Sequence, residues 1–85
     1  IIMSLMNDYD RNSEETKKNL KTFGSRIQEL RKKNNLTQSE LAEKIGLSTN
    51  FIGMVERGER NTSVDKIFKL AKAFNISLAQ FFETL

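Results

Sequence analysis

The stretch from Gln38 to Gly58, QSELAEKIGLSTNFIGMVERG, constrains this chain more than any other, because its caps and stops divide it into two short helices. Thr37 stands before it as an N-cap, with Glu40 at the third helical position. The threonine hydroxyl and the glutamate carboxylate can then each satisfy a free backbone N–H. Leu41, Ala42 and Ile45 recur at helical spacing and make one apolar face. Gly46 follows, where a left-handed residue ends a helix without the clash a Cβ would bring. Ser48 caps the next helix, which carries Phe51, Ile52 and Val55 inward and stops at Gly58. Helix, three-residue bend, helix is the prediction.

Two short helices with so little bend between them must cross closely. Ala42, small and on the inner face, lets the second helix approach, and Gly46 with Leu47 turns and anchors the bend. This is the geometry of a helix-turn-helix, whose second helix presents its N-terminal end outward to a DNA major groove. The stretch resembles the helix-turn-helix of the phage-repressor family, the Cro-like or XRE type of small bacterial regulator. Gln38, Ala42, Gly46, Leu47, Ile52, Val55, Glu56 and Gly58 all sit where that pattern wants them, and the likeness extends over roughly Phe23 to Phe82. The run Glu56-Arg57-Gly58-Glu59-Arg60-Asn61 is also similar to the matching segment of controller proteins in restriction-modification systems. The resemblance implies an all-α, compact five-helix, lambda-repressor-like DNA-binding domain, placed at residues 13–85, and the residues before it, 1–12, read from their own pattern as an N-terminal arm. It further implies a dimeric transcriptional regulator, a repressor or controller protein, that binds double-stranded DNA sequence-specifically through the third helix, about 49–57.

Composition bounds the alternatives. Eighty-five residues, 38% of them hydrophobic, allow one small domain with a modest core. There is no cysteine and no histidine. A disulfide framework, a thiolate metal site and the commonest general base are thereby excluded, so no metal or cofactor is expected and an enzyme is the least expected class. The net charge of +3 favours polyanions without identifying a nucleic-acid binder. Its distribution is more telling: Lys17, Lys18, Lys21, Arg26, Arg31, Lys32 and Lys33 crowd one segment against Glu29, while Asp8, Asp10, Glu14 and Glu15 precede it.

Ile1 to Met6 is apolar but far too short to span a bilayer, and it lacks the basic start and cleavage site of a signal peptide. A cytoplasmic location is the expectation. The start at Ile1 in place of methionine points to residues missing, cleaved or added. Within the arm, Ile1, Ile2, Met3, Leu5, Met6 and Tyr9 show no clean period. A frayed terminus and an arm packed on a partner subunit are both open.

From Ser13 the pattern is helical, with Asn12 or Ser13 as the cap and Glu14 and Glu15 at the positive end of the helix dipole. Leu20, Phe23, Ile27 and Leu30 form a single stripe, and one helix to about Lys33 is predicted. Gly24 lies inside it and admits a break or bend, since an interior glycine costs about 1 kcal/mol against alanine. By resemblance, Arg31 pairs with Glu56 and ties this helix to the third. An ordinary solvated arginine is the other reading. Asn34 and Asn35 end the helix, and Leu36 plugs the core ahead of Thr37. Ser63 caps a fourth helix carrying Val64, Ile67, Phe68, Leu70, Ala71 and Phe74, which Asn75 closes. Lys66, Lys69 and Lys72 read as its solvated face. Ser77 and Gln80 make a second capping box, opening a fifth helix with Leu78, Phe81, Phe82 and Leu85.

On the third helix Ile52 and Val55 face in, which leaves Thr49, Asn50, Gly53, Met54 and Arg57 outward. An asparagine amide pairs with adenine N6 and N7, a threonine offers a hydroxyl and a methyl, and a methionine offers apolar contact to a thymine methyl. Thr49, Asn50 and Met54 are therefore the base-contact candidates, and the resemblance marks the same positions. Phosphate contacts fall to Gln38, by resemblance the backbone-clamping glutamine, and to Ser48, Arg57, Arg60 and Asn61, which flank the reading helix. Glu40, Glu43, Glu56 and Glu59 leave the motif itself little positive excess.

Phe81 and Phe82 point about 100 degrees apart on a helix, so a domain this small buries one and exposes the other. Leu78 and Phe81 are the core candidates. Ile76, Phe82 and Leu85 are the homodimer-interface candidates, with the reverse assignment of the phenylalanines open, as is a monomeric fragment whose Phe82 packs on a missing domain. A dimer suits a pseudo-palindromic DNA site. The competing reading is a protein-interaction module, an antitoxin or adaptor on the same fold.

Overall fold

Among the described residues, a hydroxyl side chain starts every helix. The computed structural model describes residues 13–83, and its helices are α1 (Glu14–Lys33), α2 (Gln38–Ile45), α3 (Thr49–Glu56), α4 (Val64–Ala73) and α5 (Leu78–Phe82). Ser13, Thr37, Ser48, Ser63 and Ser77 each accept a backbone N–H from the third residue on. Two of these are full capping boxes. The Glu40 carboxylate accepts the Thr37 N–H at 2.8 Å, and the Gln80 amide oxygen accepts the Ser77 N–H at 2.9 Å. The Thr37 N–H and hydroxyl hold the Glu40 carboxyl below its ordinary range. Among the described residues the fold is all-α, as the resemblance implied.

The stops are as uniform as the starts. Asn35, Gly46, Gly58 and Asn75 take left-handed φ values of 57, 70, 75 and 57 degrees. At each, the next N–H reaches back five residues: Leu36 to Arg31 O, Leu47 to Ala42 O, Glu59 to Met54 O and Ile76 to Ala71 O, at 2.9–3.1 Å. This closure satisfies carbonyls that a helix end otherwise leaves without partners. Three of the connections then share one pattern: a left-handed residue, an apolar plug, and a hydroxyl cap for the next helix. Asn35-Leu36-Thr37, Gly46-Leu47-Ser48 and Asn75-Ile76-Ser77 are that pattern, and each plug packs on the core.

α2 packs on both α3 and α4, α1 crosses α3, and α5 lies on α4. Between them are buried Ile27 and Leu30 of α1, Leu41, Ala42 and Ile45 of α2, and Ile52 and Val55 of α3. Leu70 and Ala71 of α4, Phe74 and Phe81 complete the core. Each large side chain among these contributes about 1.5–3 kcal/mol by leaving water. Phe81 is fully buried and Phe82 is 40% exposed, which decides between the two phenylalanines. Their rings and that of Phe23 form a cluster with centroids 5.0–6.3 Å apart. Leu78 and Ile76 are half-buried against the core, so Ile76 is only partly available to a partner. Leu85 and residues 1–12 lie outside the described residues.

Two expectations change. Gly24 does not break α1; it is buried where α1 and α3 touch backbone to backbone, and a Cβ there would collide with Val55 O and stand 2.6 Å from Glu56 O. The glycine is there for contact, and its propensity cost is offset by the close crossing. On α4, Val64 and Phe68 stay 68% and 55% exposed, leaving Leu70, Ala71 and Phe74 to face the core.

Candidate nucleic-acid interface

The C-terminal end of α3 is held from behind. Arg31 donates from Nε to Glu56 Oε2 at 2.7 Å and from Nη2 to Glu56 Oε1 at 3.1 Å. Its Nη1 donates to Leu36 O at 2.8 Å, and Gln38 Nε2 donates to Glu56 Oε1 at 3.1 Å. Arg31 and Glu56 are 9% and 8% exposed. This is the pair the resemblance implied, a bidentate one. It joins α1, the α1–α2 turn, the start of α2 and the end of α3 in one network. Glu56 is thereby removed from the acids that would oppose a polyanion.

The N-terminal end of α3 is open. Thr49 and Asn50 are exposed, and their contacts are light. The hydroxyls of Thr49 and Ser39 stand 3.1 Å apart, and Asn50 Nδ2 lies 3.6 Å from Met54 Sδ. Met54 is half-buried beneath that asparagine. Gly53, expected on the outward face, is buried: the Arg57 guanidinium and the Gln38 amide oxygen cover it, 3.1 and 3.6 Å from where a Cβ would be.

The groups suited to phosphate lie at both ends of α3, with Ser48 at its N-cap, Gln38 and Arg57 at its C-terminal end, and Arg60 and Asn61 in the loop that follows. The Ser48 oxygen accepts the Phe51 N–H at 3.0 Å, which leaves its O–H to donate. Asn61 Oδ1 accepts the Thr62 N–H at 2.8 Å, which leaves its NH2 to donate. Gln38 already gives one amide hydrogen to Glu56. Arg57 is exposed and its Nη2 lies 3.0 Å from Glu59 Oε1. That hydrogen bond and the charges behind it raise the Arg57 guanidinium and lower the Glu59 carboxyl from their ordinary values. Arg60 lies over the Phe51 ring, 5.3 Å from its centroid.

The basic segment of α1 divides by role. Arg31 is in the buried network, and Arg26 is buried too. Arg26 donates from Nε to Phe81 O at 2.8 Å, from Nη2 to Gln80 O at 2.6 Å, and from Nη1 to Glu29 at 2.7 Å. It satisfies the carbonyls that end α5 and docks that helix on α1. Reading charge alone counts it as surface, yet it falls three residues after Phe23 and four before Leu30, on the core-facing stripe. Lys18, Lys21, Lys32 and Lys33 remain exposed.

Two short helices crossing over a tight bend, the second gripped from behind by a buried ion pair with its polar first turn outward, are the arrangement of a helix-turn-helix. The chain belongs to the helix-turn-helix family, whose model matches residues 27–81. The control protein C.SmaI of Serratia marcescens is 46% identical over 52 residues, which span 61% of this chain and 62% of that protein. The restriction-modification controller protein C.AhdI of Aeromonas hydrophila superposes with a TM-score of 0.74 at 42% identity, covering 78% of this chain and 96% of its own. The controller protein C.Esp1396I, a tetramer in complex with its natural 35 base-pair operator, superposes with a TM-score of 0.70 at 29% identity over 76% of this chain and 86% of that one.

Proposed function

We propose that this chain is a dimeric transcriptional regulator of the controller or repressor type, which binds duplex DNA sequence-specifically with the first turn of α3 in the major groove. The observation that carries the reading is the contrast along α3: Thr49 and Asn50 are exposed on a helix whose far end is locked by Arg31, Glu56 and Gln38. Thr49, Asn50 and Met54 contact bases. Gln38, Ser48, Arg57, Arg60 and Asn61 contact phosphates on either side. The operator-bound C.Esp1396I supports the same use of the fold. Its cellular place is the cytoplasm, where DNA regulators work, and among the described residues no helix is long and apolar enough to cross a membrane.

The dimer brings two copies of α3 onto half-sites about 34 Å apart. Exposed Phe82 supports an interface at the end of α5, with half-buried Ile76 as a second candidate; Leu85 lies outside the described residues. Phe68, exposed on α4 beside Ile76 and Leu78 in one shallow groove, extends that interface. A gel-shift titration against the duplex upstream of the protein's own gene tests the reading. Retention of that duplex at protein concentrations that leave a scrambled duplex free is the expected result. Equal retention of both would refute sequence-specific binding, and a chain that sediments as a monomer at micromolar concentration would refute the dimer.

A further inference from the structure

Phe51 carries two cations. Arg60, in the loop after α3, and Lys66, in the first turn of α4, stand 5.3 and 4.7 Å from its ring centroid. The ring itself belongs to the first turn of α3, adjacent to Asn50. A ring face attracts either cation, but two on one ring repel each other. The acids beside them are turned to other partners: Glu59 is bonded to Arg57 at 3.0 Å, and Asp65 to Lys69 at 3.4 Å. Among the described residues neither Arg60 nor Lys66 has an ion-pair partner. Lys66 also sits at the positive end of α4, where a helix disfavours a cation. Three sources of positive potential thus lie beside the reading helix, and the carboxylates next to them in sequence, Glu59 and Asp65, are each paired with another cation.

We propose that Arg60 and Lys66, seated on Phe51, grip one DNA phosphate at the edge of the groove that α3 enters, with Phe51 as the positioning residue that aims both. The proposal rests on the reading of α3 as a DNA-reading helix and adds two residues to it. Spacing alone groups Lys66 with Lys69 and Lys72 as a solvated face. The fold separates them, since Lys69 pairs within its own helix while Lys66 turns back over α3.

The test is affinity for the best duplex site between 50 and 200 mM salt, for the wild type, Lys66→Gln, Lys69→Gln and Phe51→Leu. Lys66→Gln lowers the slope of log affinity against log salt by about 0.9, so its deficit relative to wild type is about 3.5-fold larger at 50 mM than at 200 mM. Lys69→Gln leaves the slope unchanged. Phe51→Leu, which keeps apolar packing, weakens specific and random duplex alike while helicity is retained. In ethylation interference, one phosphate that matters to the wild type stops mattering to Lys66→Gln. A wild type that binds while Lys66→Gln keeps its slope overturns the clamp alone; a wild type that binds no duplex overturns the DNA reading and the clamp with it.

Discussion

The two ends of α3 differ in what holds them. At the C-terminal end, Glu56 is buried and accepts hydrogen bonds from Arg31 and Gln38, while Gly24 lets the α1 backbone press directly on the helix. At the N-terminal end, Thr49 and Asn50 face solvent, with the Ser39 hydroxyl and the sulfur of half-buried Met54 as their side-chain hydrogen-bond partners. An eight-residue helix has little stability of its own. Its direction is therefore fixed from the buried end, which leaves the exposed end polar and unspent. The buried pair and the proposed reading turn lie at opposite ends of one helix, so substitutions in the pair should change stability and those in the open first turn should change binding.

The strongest way to break the contrast is Glu56→Ala, which strands Arg31 as a buried charge and should cost about 3–5 kcal/mol in urea unfolding. The double variant Arg31→Met, Glu56→Leu should cost less than either single one, because a buried pair exchanged for apolar side chains is often neutral. Gly24→Ala comes next. Its Cβ meets backbone that has no room to yield, and a loss of about 1–3 kcal/mol is expected. Gly53→Ala sharpens the point from the same helix. There the nearest atoms are the tips of Arg57 and Gln38, which can shift, and the gain in helix propensity should leave stability unchanged or raised by up to about 1 kcal/mol. Arg57→Ala should leave the unfolding curve in place and reduce the salt slope of DNA binding by about 1. Glu59→Gln should steepen that slope, since it releases Arg57 from its carboxylate partner.

What was legible in the sequence follows the range of the interaction. Thr37 with Glu40, Ser77 with Gln80, and the stops at Asn35, Gly46, Gly58 and Asn75 act within five residues, so residue type and spacing suffice to place all five helices. Arg31 with Glu56 spans 25 residues and was reached through the family pattern. The docking role of Arg26 is not legible beyond its charge, because the carbonyls it satisfies lie 54 and 55 residues away and leave no mark in their own side chains. Gly24 meets the backbone of a distant helix, which its own neighbours do not signal, and Gly53 is covered by the Gln38 amide from α2 together with Arg57 four residues on. Lys66 read as solvated because its ring partner lies on another helix.

The central claim is that the open turn of α3 reads bases. Asn50 is exposed, so Asn50→Ala should leave urea unfolding within about 0.5 kcal/mol of wild type. Titrated against the preferred duplex and a random one, it should lose about 1–3 kcal/mol on the preferred site and almost nothing on the random one. Equal losses on the two duplexes, with the fold intact, would contradict it.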